Sequence, residues 1–131
     1  MRKGLILNGD ILEVIARMGH MDEIVIADAG LPIPLGVRRI DLALRAGTPG
    51  FVATLATVLE EFVCESACLA EEIKVASPAV EHEVRKTLGV ISVTYISHED
   101  FKQRCHLAKA VIRTGECSPY ANIILRSGVF F

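Results

Sequence analysis

Apolar positions along this chain follow two alternating rhythms, one helical and one extended. Ile11, Leu12, Val14, Ile15 and Met18 share one face at helical spacing, with Asn8 or Asp10 able to cap the start and Gly19 placed to end it. Ile24 to Ala27 is a continuous apolar run that predicts a buried strand closing at Asp28. Gly30-Leu31-Pro32-Ile33-Pro34 is irregular, because two prolines remove donors and hold the backbone extended. A short strand is expected between Arg39 and Leu44. Thr48-Pro49 then opens a helix, proline in its first turn, that reaches about Leu59. The stretch from Glu61 to Lys74 fits both templates and is read as a strand. Ser77-Pro78 starts a capped helix ending near Leu88-Gly89, and Val90 to Ile96 alternates as a strand does. Ser97 and Asp100 form a capping-box pair opening a helix from His98 to about Ala108. Ala110 to Arg113 and Ala121 to Leu125 are the last strands. The expectation is an α/β fold, a single domain over residues 1–131 with helices packed on a central mixed or parallel sheet.

Composition adds one thing to this picture. Hydrophobic residues make up 51% of 131, more than a domain of this size can bury, so apolar surface should be left over for contacts between copies. No apolar run approaches the roughly 18 residues of a membrane span. Arg2-Lys3 followed by Leu5-Ile6-Leu7 echoes a targeting segment but soon meets Asn8 and Asp10, so a cytoplasmic protein is expected. The net charge of -2, with basic residues scattered, offers no footprint for nucleic acid. Arg38-Arg39 is the one tempting basic doublet, and a solvated or inter-subunit role suits it better. The cysteines at 64, 68, 105 and 117 lack the two tight ligand pairs of a structural zinc site, so no metal is expected.

Few residues stand out as chemistry. His20 follows the first helix, near its unpaired carbonyls and negative end, a setting suited to a proton donor or simply to capping that helix. Asp28 ends a strand where α/β sheets gather ligands, so its carboxylate can hold a hydroxyl or its own turn. His98 lies in a first helical turn, where a neutral imidazole fits, as ligand contact or as exposed helix start. Tyr120 and Asn122 stand two apart and can offer a hydroxyl and an amide to one polyol if the segment is extended. A phosphate-binding loop, a dinucleotide fingerprint and a serine nucleophile elbow are all missing, so phosphoryl transfer, hydride transfer and serine hydrolysis lack their usual apparatus.

Read in order, four segments resemble the ribose pyranase and fucose mutarotase family over the whole chain. They are Leu7-Asn8-Gly9-Asp10-Ile11 with Met18-Gly19-His20-Met21-Asp22; Asp28-Ala29-Gly30-Leu31-Pro32-Ile33-Pro34; Ser97-His98-Glu99-Asp100-Phe101-Lys102; and Val111-Ile112-Arg113-Thr114-Gly115-Glu116 running into Pro119-Tyr120-Ala121-Asn122-Ile123-Ile124-Leu125. The fucose branch usually has Asp-Ala-His after its first strand and Tyr-Gly-Asn near its end. Asp28-Ala29-Gly30 and Tyr120-Ala121-Asn122 place this chain nearer the ribose branch, although Met18-Gly19-His20-Met21-Asp22 departs from that branch's frequent Leu-Gly-His-Thr-Asp. The resemblance implies an isomerase without cofactor or metal, converting D-ribose between pyranose and furanose. The alternatives are an L-fucose mutarotase or a non-catalytic ribose-binding accessory of sugar uptake. It further implies His20 as catalytic proton donor; Asp28, His98, Tyr120, Ala121 and Asn122 as sugar contacts; and Lys102 as a secondary candidate. The implied assembly is a ring-shaped homo-oligomer, typically a decamer, with sites near subunit boundaries.

Overall fold

The computed structural model describes residues 1–131 and holds one six-stranded mixed sheet with helices on both faces. In chain order the elements are α1 (Gly9–Arg17), β1 (Glu23–Ala27), β2 (Arg38–Asp41), α2 (Phe51–Leu59), β3 (Cys64–Ala70), α3 (Ile73–Ala76) and α4 (Pro78–Leu88). Then come β4 (Ser92–Ile96), α5 (His98–Arg104) with a 3-10 turn at Cys105–Leu107, β5 (Ala110–Arg113) and β6 (Ile123–Ser127). Strand order is β2-β5-β1-β6-β3-β4. Strand β6 is antiparallel to both its neighbours, whereas the β2–β5, β5–β1 and β3–β4 pairs are parallel. Five strands therefore end on one edge of the sheet, and β6 begins there.

Burial follows position in the sheet. All five residues of β1 are buried, because it lies between β5 and β6 with both faces covered, as an uninterrupted apolar run requires. The edge strands β2 and β4 are mostly exposed or half-buried. Ile24 and Ile26 point into the larger core, with Ile11 and Val14 of α1, Phe51, Leu55 and Val58 of α2, and Val84 and Leu88 of α4. Val25 and Ala27 point to the smaller core formed with Leu31, Phe101, Cys105 and Ala108. Many large apolar side chains remain exposed, among them Leu5, Leu7, Val75, Phe130 and Phe131. No helix is long and apolar enough to cross a membrane.

Several local expectations need correction. Gly19 is not a left-handed cap: α1 closes at Met18 in extended conformation, and the turn's positive φ falls on Met21. Pro49 lies before α2 rather than in its first turn. It follows a cis bond, and the Phe51 amide that begins the helix donates instead to Glu116 Oε1 at 3.1 Å. The stretch read as strand from Glu61 to Lys74 is strand only over Cys64–Ala70 and becomes helical at Ile73. Ser77 occupies the start of α4, but its hydroxyl donates to Pro119 O at 2.7 Å instead of capping the helix. Arg38 pairs within the chain, with Asp10 and Glu13 of α1.

Candidate active site

The edge where five strands end carries most of the chemically distinctive residues. Asp28 follows β1, and three hydrogen bonds fix it. Its amide donates to Asn122 Oδ1 at 2.8 Å, its Oδ2 accepts from Asn122 Nδ2 at 2.9 Å, and its Oδ1 accepts from the Gly30 amide at 2.9 Å. Asn122 is 1% exposed, so its amide serves to orient Asp28. Each carboxylate oxygen still has a lone pair for a further donor.

His98 opens α5 directly beyond β4. The Ser97 hydroxyl accepts the Asp100 amide at 3.1 Å, and both oxygens of Glu72, at 3.0 and 3.1 Å, accept the His98 amide. That amide hydrogen bond, the largest cause, holds the Glu72 carboxyl below the usual glutamate range. The His98 ring stands edge-on to Tyr120, centroids 4.9 Å apart and planes at 82°. Tyr120 has φ 62, a left-handed conformation that a bulky residue adopts only where its surroundings hold it. Here the Asn122 amide donates to Tyr120 O at 2.9 Å, and Ser77 grips the preceding carbonyl. The 120–122 segment is thus tightly turned rather than extended. Ala121 buries its methyl in the larger core, so its part at this edge is that of backbone.

The loop from β5 is braced from below. Thr114 is fully buried and its hydroxyl donates to Ala27 O at 2.7 Å, while the Ala29 amide donates to Glu116 O at 2.8 Å. Gly115 has to be glycine, since a Cβ there would collide with the carbonyls of Arg45 and Thr48. Beside His98 and Tyr120 lies an open cleft of about 710 Å3 lined by Glu72, Val75, Tyr95, Ile96, Ser97 and Tyr120 among others. Its volume falls within the roughly 300–1,000 Å3 of small-molecule sites. Tyr95 donates to Glu81 at 2.5 Å; burial first, and that carboxylate second, push its hydroxyl up to about 12. Glu72 and Tyr95 carry no signal in the sequence, and Ser77 reads there only as a helix start. Each acts through a contact with a residue far along the chain, which no spacing rule encodes. Lys102 lies on α5 and pairs with Glu99 at 2.6 Å.

His20 is elsewhere. It sits before β1, at the sheet's other edge, where its Nε2 lies 3.2 Å from Glu65 Oε1 and its side chain is 49% exposed. Strand β1 separates it from Asp28 by roughly 17 Å, at about 3.3 Å per residue. Around it lies a pocket of about 300 Å3 formed with Met18, Phe62, Gly128, Phe130 and Phe131. Below it Glu23, 8% exposed, is gripped by Arg104 at 2.5 Å and Arg126 at 3.0 Å. Burial works to raise the Glu23 carboxyl, but the two guanidiniums outweigh it and hold it below the usual range. The cysteines are dispersed, burial pushing the Cys64 thiol up to about 11 and Cys105 up to about 12. No three His, Cys, Asp or Glu side chains gather as a metal site needs.

Comparison with known proteins places this arrangement. The model of the RbsD / FucU transport protein family matches residues 1–130. The chain belongs to that family. Among its relatives are proteins named D-ribose pyranase from Chromobacterium violaceum, 52% identical over 132 residues, and Proteus mirabilis, 51% identical over 139 residues, with all of both chains covered in each case. A structure of Bacillus subtilis RbsD complexed with D-ribose superposes with a TM-score of 0.98 at 46% identity, covering 100% of both chains. A fucose mutarotase complexed with L-fucose, from Streptococcus pneumoniae, reaches a TM-score of 0.79 at 29% identity over 95% of each chain. Within the RbsD / FucU family the chain therefore stands nearer the ribose proteins than the fucose one.

Proposed function

We propose that this chain is a cofactor-independent isomerase that interconverts the pyranose and furanose forms of D-ribose. The observation that carries this is its full-length likeness to D-ribose pyranases and to a ribose-bound RbsD, with Asp28, His98, Tyr120 and Asn122 gathered at one sheet edge.

Opening the pyranose moves two protons. One leaves the anomeric hydroxyl and another reaches the ring oxygen as its bond to carbon 1 breaks, leaving an aldehyde. Closure through the 4-hydroxyl instead of the 5-hydroxyl gives the furanose. Asp28, braced by Asn122, and the 120–122 turn hold hydroxyls, while His98 either orients the anomeric hydroxyl or takes its proton. His20 donates to the ring oxygen. Within one chain it is too distant, so the donor is His20 of a neighbouring copy, whose amino edge meets this carboxyl edge.

Such head-to-tail contacts use two different surfaces and close into rings where the rotation between successive copies closes. Exposed Phe130 and Phe131 lie beside His20 and exposed Val75 beside the cleft, so both edges carry apolar surface for the contact. We take the assembly to be a ring-built homodecamer of one-domain chains in the cytoplasm. A general acid or base contributes about 10²–10⁴-fold, sufficient for a reaction that already proceeds unaided.

Proton saturation-transfer NMR on equilibrated D-ribose tests the reading. Exchange between pyranose and furanose anomeric signals should accelerate with catalytic protein and stay at the uncatalysed rate for L-fucose. Acceleration for fucose alone would move the activity to the sister branch, and ribose binding without acceleration would leave a sugar-binding accessory.

A further inference from the structure

We propose that His98 serves this reaction as a neutral hydrogen-bond donor through Nε2, leaving Asp28 to take the anomeric proton; this rests on the ribose reading above. The observation is the environment of the His98 ring. Its Nδ1 is enclosed by protein and has no hydrogen-bond partner. Ring faces and edges nearby belong to Tyr120 and Phe101, at centroid distances of 4.9 and 6.5 Å, and neither ring accepts a hydrogen bond in its plane. Both oxygens of Glu72 accept the His98 backbone amide, and neither lies within hydrogen-bond reach of Nδ1.

A proton on Nδ1 would therefore be a buried donor with nothing to receive it, a situation folded proteins largely avoid. With Nδ1 bare, the proton of the neutral ring is on Nε2, the nitrogen that is not enclosed. The ring can donate from there. To act as base it would first have to accept at Nε2, which is already protonated.

A carboxylate is then needed for the anomeric proton, and Asp28 is the acidic side chain among the sugar-contacting candidates. Its two intramolecular donors, Gly30 N–H and Asn122 Nδ2, leave lone pairs open. The step balances as follows. The anomeric O–H gives its proton to Asp28, its electron pair forms the carbonyl at carbon 1, and the ring C–O pair leaves with the ring oxygen. That oxygen takes the proton from His20, and His98 Nε2–H steadies a sugar oxygen throughout.

Magic-angle-spinning NMR of the intact assembly labelled with 15N-histidine reads the tautomer directly, with the His98 signals assigned by their loss in His98→Gln. Expected at neutral pH is an unprotonated Nδ1 and a protonated Nε2; a protonated Nδ1 would overturn the proposal. Activity gives a second reading, because a glutamine amide nitrogen falls near Nε2 and an asparagine amide near Nδ1. H98Q should stay within about tenfold of wild type, one imperfectly replaced hydrogen bond, with H98N below it, whereas removal of a base would cost both variants about 10²–10⁴-fold. A folded H98Q as inactive as His98→Ala would also sink it. Failure of the ribose reading shows separately, as a wild type that does not accelerate ribose exchange whatever its His98 tautomer.

Discussion

The two edges of this sheet are built on opposite plans. At the carboxyl edge, Asp28 and Asn122 share a pair of hydrogen bonds, Tyr120 is pinned in a left-handed turn, and Glu72 grips the start of α5. At the amino edge, His20 stands exposed and meets a single half-exposed carboxylate, Glu65, while the firmly held charges belong to Glu23, Arg104 and Arg126 beneath it. One edge holds its polar side chains fixed in advance. The other presents an imidazole outward, which the proposed function makes a proton donor positioned by whatever packs against it. Under the function proposed above, the contrast is how a small domain would divide an acid–base site: rigid recognition within the chain, and the acid completed by association.

The largest test is removal of the outward donor. His20→Ala should cut ribose exchange by about 10²–10⁴-fold while the variant still folds, since the side chain's partner within the chain is the half-exposed Glu65. Full activity in a folded variant would break the division drawn above.

Subunit mixing sharpens it further. His20→Ala and Asp28→Asn are each expected to be nearly inactive, yet unfolding and refolding them together should restore activity. Sites then arise with His20 from one copy and Asp28 from another. No recovery in mixed assemblies of normal size would mean that each chain completes its own site.

Asn122→Ala probes the rigid edge. It strips a buried partner from the Asp28 amide and carboxylate, and should lower unfolding free energy by about 1–3 kcal/mol in denaturant titration. Glu23 provides the pH test. Its folded carboxyl titrates below the ordinary value, so its contribution is present above the unfolded value and is lost as pH falls through the folded one. Glu23→Gln should therefore melt well below wild type at pH 7, and the gap should narrow as pH drops below the ordinary glutamate range. The smallest effect is expected from Glu65→Gln, a change to a half-exposed pair that should move stability by under about 1 kcal/mol.

What the linear pattern determined is local. A continuous apolar run made β1 a central strand, Asn8 did accept the Ile11 amide at 3.0 Å to start α1, and Ser97 did cap α5. Asp28, His98, Tyr120 and Asn122 were legible as polar residues at element ends in segments matching a family pattern. Their company was not, because it depends on β6 running antiparallel between β1 and β3, which brings Asn122 to Asp28 across 94 positions of sequence. Tertiary structure alone decided that Tyr120 turns left-handed, that Ser77 grips a distant carbonyl instead of capping its helix, and that Glu72 faces His98. It also decided that His20 and Asp28, eight positions apart in sequence, lie at opposite ends of a strand. The physical reason is the same throughout: caps and hydrophobic periodicity arise within a few residues, whereas strand order and the pairing of buried polar groups are settled only when distant segments compete for one core.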